Sequence, residues 1–232
     1  MTQLTITATD GGSFGAYVAR PEGGSGPGLL VIQEIFGVNA VMRHIANNFA
    51  RAGYVAVVPD LFWRLEPGVQ LVDEGADLAK AFDFFGRFDE AKGMADLTAT
   101  LAALRILEGV GDRVGTVGYC LGGRLAYLMA TRSDADCNVS YYGVGIENNL
   151  YELINVRRPL LLHIAENDQF VNPLARAQIL QEAAGYPQVE AYVYPGVGHA
   201  FARLGGTTFE PGAAAIADRR SLDFLARHLK GA

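Results

Sequence analysis

RVGTVGYCLGGRLAYLMATR, residues 113–132, decides how the chain is read. After Arg113 the next six residues, VGTVGY, are apolar, small or aromatic, which predicts a buried strand. From Leu121 the apolar residues recur at helical spacing to about Arg132, which predicts a helix. Between them lies GYCLGG, Gly118–Gly123, a strand-to-helix turn with Cys120 at its centre. A side chain on such a turn projects from the carboxyl edge of a sheet, and flanking glycines let strand and helix approach closely. Taken alone, the turn fits two descriptions of Cys120: a nucleophile, or a small apolar residue in a tight bend.

The same strand–helix grammar extends in both directions. Two amphipathic strands, Leu4–Thr7 and Phe14–Arg20, flank the turn Asp10-Gly11-Gly12. GLLVIQE precedes a helix near Val41–Ala52, and VAVVPD precedes helical stretches near Val72–Phe85 and Glu90–Glu108. After the Cys120 helix come NVSYYGV, PLLLHIAEN with the helix Pro173–Ala184, and EAYVYP with a last helix over Ala213–Leu229. Near-continuous apolar strands imply a sheet covered on both faces. Alternation with helices implies a mostly parallel, doubly wound sheet, so a single α/β domain over residues 1–232 is expected.

Bulk properties narrow the function. The chain has 232 residues, a formal charge of −6 and no Lys/Arg run, which speaks against a nucleic-acid surface. No apolar run approaches the ~18 residues of a membrane span, and the start lacks a signal-peptide pattern. Two cysteines make no disulfide framework, and a cytoplasmic monomer is expected. No His/Cys cluster has metal-ligand spacing, and no cofactor is expected.

In open parallel sheets ligands bind at the carboxyl ends of strands. Four such ends carry polar residues: Glu34-Ile35, Cys120, Asp168 and His199. The order Cys120, Asp168, His199 is nucleophile, acid, histidine, the order of the α/β-hydrolase triad. The helix that starts at Leu121 directs free N–H groups and its positive end at the thiol, which favours a thiolate. The N–H of Leu121 is placed for a developing oxyanion, and the N–H of Ile35 is the expected second donor. Glu166 competes with Asp168 for the acid, and Asp168 lies further past its strand. His44, His163 and His228 are expected to be structural or on the surface. Cys137 is expected to be a buried thiol. Asp60 is expected to make structural hydrogen bonds rather than take part in catalysis.

QEIFGVNA (33–40), GYVAVVPDLF (53–62), VGYCLGG (117–123), YYGVG (141–145) and GHAFAR (198–203) together resemble the dienelactone hydrolase (carboxymethylenebutenolidase) family, a cysteine-dependent branch of the α/β-hydrolases. The resemblance implies a single-domain α/β-hydrolase fold and a triad of Cys120, Asp168 and His199. It implies that Glu34 interacts with the resting thiol and helps form the thiolate when substrate arrives. It implies hydrolysis of an anionic unsaturated lactone, dienelactone, to maleylacetate, with Arg203 binding the substrate carboxylate. Tyr141, Tyr142, Phe36 and Phe85 are expected to line the pocket. One departure stands out: Leu78 occupies the position of the family's second carboxylate-binding arginine. Lys80 is the nearest replacement, as a point charge rather than a bidentate fork. Four readings stay open: dienelactone held through Lys80, another isomer, a different small ester or lactone, or a non-catalytic or thiol redox relative that uses Cys120 as a binding or oxidisable group.

Overall fold

The computed structural model describes residues 2–231. Its contacts divide into two compact units, one up to Gly115 and one from Thr116. In the first, β1 (Thr2–Thr7) pairs antiparallel with β2 (Ser13–Ala19), which pairs antiparallel with β4 (Val55–Pro59). β4 runs parallel to β3 (Gly26–Ile32). In the second, β5 (Val110–Tyr119, which begins before the division), β6 (Asn138–Tyr141), β7 (Leu160–Ala165) and β8 (Val189–Tyr194) are paired in that order, all parallel. The result is an α/β fold with a mostly parallel sheet of eight strands.

The central strands earn their place by composition. β4 and β7 are buried along their whole length, as strands covered on both faces must be. β5 is exposed at its start and buried over its last six residues, so only the end that carries Cys120 lies in the core. Helix α1 (Ala40–Arg51) packs on β4 and β2. Asn39 caps it by accepting the Met42 N–H at 3.1 Å, satisfying one orphan donor. Helix α2 spans Gly75–Arg87, and α3 spans Glu90–Arg105 with Asp89 capping it through the Lys92 N–H. α4 (Leu121–Arg132) is buried on nearly every side and packs on β6. α5 (Pro173–Ala183) starts with Asn172 as cap and proline in its first turn, and packs on β8; α6 (Pro211–Leu225) packs on β7.

Helix ends account for most departures from the sequence expectation. α2 begins at Gly75 rather than Val72, because Glu74 is extended and the Asp77 carboxylate accepts the Val72 N–H instead. α3 ends at Arg105, not Glu108, where a tight turn closes from Leu107 N–H to the Leu104 carbonyl. The 3-10 segment Ile146–Asn155 was not expected. It is held by tertiary bonds rather than local pattern: Glu152 accepts from Arg132 at 2.6 and 2.8 Å and from Thr131 at 3.0 Å. Among the described residues, no helix is long and apolar enough to cross a membrane.

Candidate active site

Cys120 has φ 57° and ψ −114°, a strained conformation for a residue with a side chain. Three contacts hold it there. Its N–H donates to the Tyr141 carbonyl at 3.1 Å, and its own carbonyl accepts the Arg124 N–H at 3.2 Å, opening α4. Gly118 supplies the third: a Cβ there would stand 1.9 Å from the Gly122 carbonyl oxygen. Gly123 is under similar constraint, since its Cβ would meet the Tyr141 carbonyl at 2.4 Å. That second glycine lies outside the G-x-C-x-G frame and was not singled out in the sequence. Its signal was the doubled Gly122-Gly123. Cys120 therefore stands at the N-terminus of α4, where the first-turn N–H groups have no intrahelical acceptor.

The acid and the histidine meet. Asp168, just past β7, accepts the Phe170 N–H at 2.9 Å on Oδ1, and its Oδ2 lies 2.8 Å from His199 Nδ1. Glu166 is engaged elsewhere, accepting the Gly196 N–H at 2.8 Å, so Asp168 is the carboxylate on the histidine. The His199 ring is buried between edges: Tyr142 at 5.1 Å and Phe170 at 4.8 Å between centroids, both near perpendicular. Its carbonyl accepts the Thr208 hydroxyl at 2.6 Å. Burial alone pulls the imidazole pKa down; the charge of Cys120 and the bond to Asp168 outweigh it and raise the value to about 10. Nε2, the ring nitrogen not bonded to Asp168, is buried with no hydrogen bond formed. Among the described residues, Cys120, Tyr142 and Ala200 are the only non-glycines with left-handed φ. All three border this constellation, and strain concentrated in that way marks sites rather than scaffolds.

A second polar network is buried around Tyr141 and His163. The Tyr141 hydroxyl lies 2.7 Å from Ser221 Oγ and donates to Asp218 at 3.0 Å. Ser221 Oγ is 2.9 Å from His163 Nε2, whose Nδ1 is 2.7 Å from the Tyr194 hydroxyl. Burial, helped by the charge of Arg220, holds His163 down to about 3, so its ring is neutral. This corrects the expectation for Tyr141. Its ring is wholly buried, stacked on Tyr119 at 4.6 Å, with its hydroxyl turned to α6, so it lines no pocket. What Tyr141 supplies to the site is its backbone carbonyl under Cys120. Tyr142, by contrast, packs on the His199 ring, and its N–H is fixed by the His163 carbonyl at 2.8 Å. His163 is structural, as expected, and Cys137 is a buried free thiol.

Arg203 is buried in the turn after His199, its N–H donating to the Ala200 carbonyl at 2.9 Å. In the first unit, Glu34, Ile35 and Phe36 follow β3 and are all buried. Gln33 explains their order: it accepts the Leu61 N–H at 3.1 Å and donates to the Glu34 carbonyl at 3.2 Å. Gly37 closes the loop at φ 73°, where a Cβ would lie 2.0 Å from the Val69 carbonyl oxygen. Lys80 departs from expectation. Its ammonium is paired with Glu66 at 2.7 Å and lies over the Phe84 ring, so it is not a spare cation. Phe85 is 37% exposed on α2. Asp60 makes the structural bonds expected of it, to the N–H groups of Phe62 and Gly68.

These features can be set beside known proteins. The family model for the dienelactone hydrolase family matches residues 14–229. A protein of Azospirillum brasilense, provisionally named a carboxymethylenebutenolidase, is 50% identical over 232 residues, covering 99% of this chain and 100% of that one. The carboxymethylenebutenolidase of Pseudomonas putida is 38% identical over 224 residues, 96% of this chain and 95% of that one. A structure from Klebsiella pneumoniae, provisionally described as a dienelactone hydrolase, superposes with TM-score 0.85 at 24% identity, covering 97% of this chain and 98% of that one. The chain belongs to the dienelactone hydrolase family and is a hydrolase of lactones or esters.

Proposed function

We propose that the protein opens an unsaturated, carboxylate-bearing lactone, dienelactone, to maleylacetate by covalent catalysis at Cys120. The observation that carries this reading is the Asp168–His199 pair at 2.8 Å, whose imidazole feels the charge of Cys120 at the start of α4. The Cys120 sulfur attacks the lactone carbonyl carbon, and the negative oxygen so formed accepts from the Leu121 N–H. Collapse breaks the ring C–O bond and leaves a thioester and an enolate. The enolate takes a proton from the His199 imidazolium and becomes the ketone. His199, now neutral and oriented by Asp168, takes a proton from water as the water oxygen attacks the thioester. The C–S bond breaks, the acid is released, and the Cys120 thiolate is restored beside the His199 imidazolium. Arg203 is the group proposed to hold the substrate carboxylate, bidentately. Glu34 and Ile35 enter this reading through the QEIFG match.

One observation favours a second reading, a small ester or lactone of different shape. Lys80 is committed to Glu66, and Leu78 offers no charge where relatives are expected to place a second arginine. Steady-state kinetics on cis- and trans-dienelactone beside uncharged aryl esters separates the two. The first reading requires higher kcat/KM on a dienelactone isomer, lost in Arg203→Ala. Equal or better turnover of aryl esters, indifferent to Arg203→Ala, establishes the second. Full activity in Cys120→Ala removes both.

A further inference from the structure

The first unit holds a cavity of about 540 Å³ that none of the hydrolytic residues lines. Its floor is β2, at Ser13, Gly15 and Tyr17; its walls include Trp63, Gln70 and Arg43. Gly15 is the first clue. It lies inside a strand, paired with Thr5 of β1 on one side, while its carbonyl accepts the Asp60 N–H on the other. Its φ is not left-handed, and an added Cβ would have nothing within 4 Å. Neither a turn nor close protein packing demands glycine here, although glycine weakens a strand interior. A glycine of that kind keeps space open for something that approaches the backbone.

The second clue is Arg43. Its Nη1 donates to the Val38 carbonyl and to Gln70 Oε1, each at 2.6 Å. Among the described residues it has no carboxylate partner, so Nε and Nη2 remain as a side-on fork, the geometry that takes a carboxylate bidentately. Asp60 also borders the cavity, but its two oxygens are held by the Phe62 and Gly68 N–H groups, and burial favours its neutral form. The third clue is the wall. Trp63 is fixed by stacking on Phe14 at 5.6 Å, by the Arg64 guanidinium 4.2 Å from its ring centroid and by donating to Asp96 at 2.9 Å, so it forms a rigid aromatic border to the cavity.

We propose that this cavity is a second ligand site, for a small planar aromatic carboxylate whose ring lies over Gly15 beside Trp63 and whose carboxylate is gripped by Arg43. The site is independent of the hydrolytic reading and stands or falls without it.

Trp63 is the one tryptophan in the chain, so intrinsic tryptophan fluorescence reports on this cavity directly. Titrating the full-length protein with sodium benzoate is expected to give a saturable change with half-saturation below about 1 mM. Benzamide, of the same shape without the charge, and the variant Arg43→Gln are each expected to weaken the response at least about tenfold. Gly15→Val fills the floor with a residue that strands favour, so it is expected to abolish the response while keeping or raising Tm and leaving ester turnover unchanged. If Arg43→Gln does not fold, Gly15→Val decides. The proposal is overturned by the absence of a saturable response, by benzamide matching benzoate, or by a response in folded Gly15→Val equal to that of the parent.

Discussion

Gly118→Ala puts one methyl group at the point where strand and helix meet. Its Cβ would stand 1.9 Å from the Gly122 carbonyl oxygen, 2.3 Å from the carbonyl carbon and 3.0 Å from the Gly123 nitrogen. The nearest contact is about 1.5 Å inside ordinary van der Waals separation. All three atoms are backbone in the first turn of α4, so no side chain can swing aside. The turn itself must move, and with it the Cys120 sulfur and the Leu121 N–H. Overpacking of this kind costs about 3 kcal/mol, which for a chain of this size lowers Tm by about 6–12 °C. A displacement of about 1 Å at the reacting atoms costs roughly 100-fold in kcat, with KM affected far less. The control is Gly111→Ala at the start of β5, where the nearest atom, the Gly26 carbonyl oxygen, would be 3.9 Å away, an ordinary contact. Thermal denaturation and ester hydrolysis should therefore separate the two alanines sharply. Parent-like Tm and kcat in Gly118→Ala would refute the claim that this glycine is what seats the nucleophile.

Asp168→Asn keeps the shape but no longer fixes the His199 tautomer; kcat should fall about 10³- to 10⁴-fold with KM little changed in steady-state assays. In Cys120→Ala the charge that raises His199 is gone while burial remains, so NMR titration should find its pKa well below about 10. Because the parent value lies above the ordinary 6.5, the stability that this histidine contributes is complete below pH 6.5 and is lost as pH rises through about 10. Glu152 has the opposite sign. Its bond to Arg132, opposed by burial and helped by Thr131 and Asn149, lowers its pKa from 4.5 to about 2. Its contribution is complete above pH 4.5 and is lost as pH falls through about 2, so Glu152→Gln should flatten the acid limb of a stability–pH curve measured by urea unfolding.

The Asp168–His199 pair and the turn at Cys120 were legible because each residue follows its own apolar strand, and strand ends in such sheets converge on one edge. GYCLGG, the spacing to Asp168 and GHAF each carried that signal locally. Tyr141 was misjudged for a physical reason. Alternation along a strand does not say toward which partner the last side chain turns, and its partners Asp218 and Ser221 lie 77 and 80 residues away. The His163 network is hidden for the same reason, since Ser221 is 58 residues from His163. Lys80 looked like a spare cation because its partner Glu66 is fourteen residues back, across a loop with no periodic pattern. The 3-10 segment at Ile146–Asn155 depends on Arg132 and Thr131 from α4, and no local propensity announces it. Residues announced by a strand end or a turn were readable; the distant side-chain contacts of Tyr141, His163, Glu152 and Lys80, which no such signal marks, were not.

The central claim is that Cys120 becomes acylated during turnover, and rapid-quench mass spectrometry tests it most directly. Parent enzyme mixed with an aryl ester and quenched in acid at early times should show a mass increase equal to the acyl group, mapped to the peptide that contains Cys120. The adduct should appear with the burst of released alcohol and persist longer in Asp168→Asn. An adduct on another residue, or undiminished turnover after Cys120 is alkylated, would contradict the account.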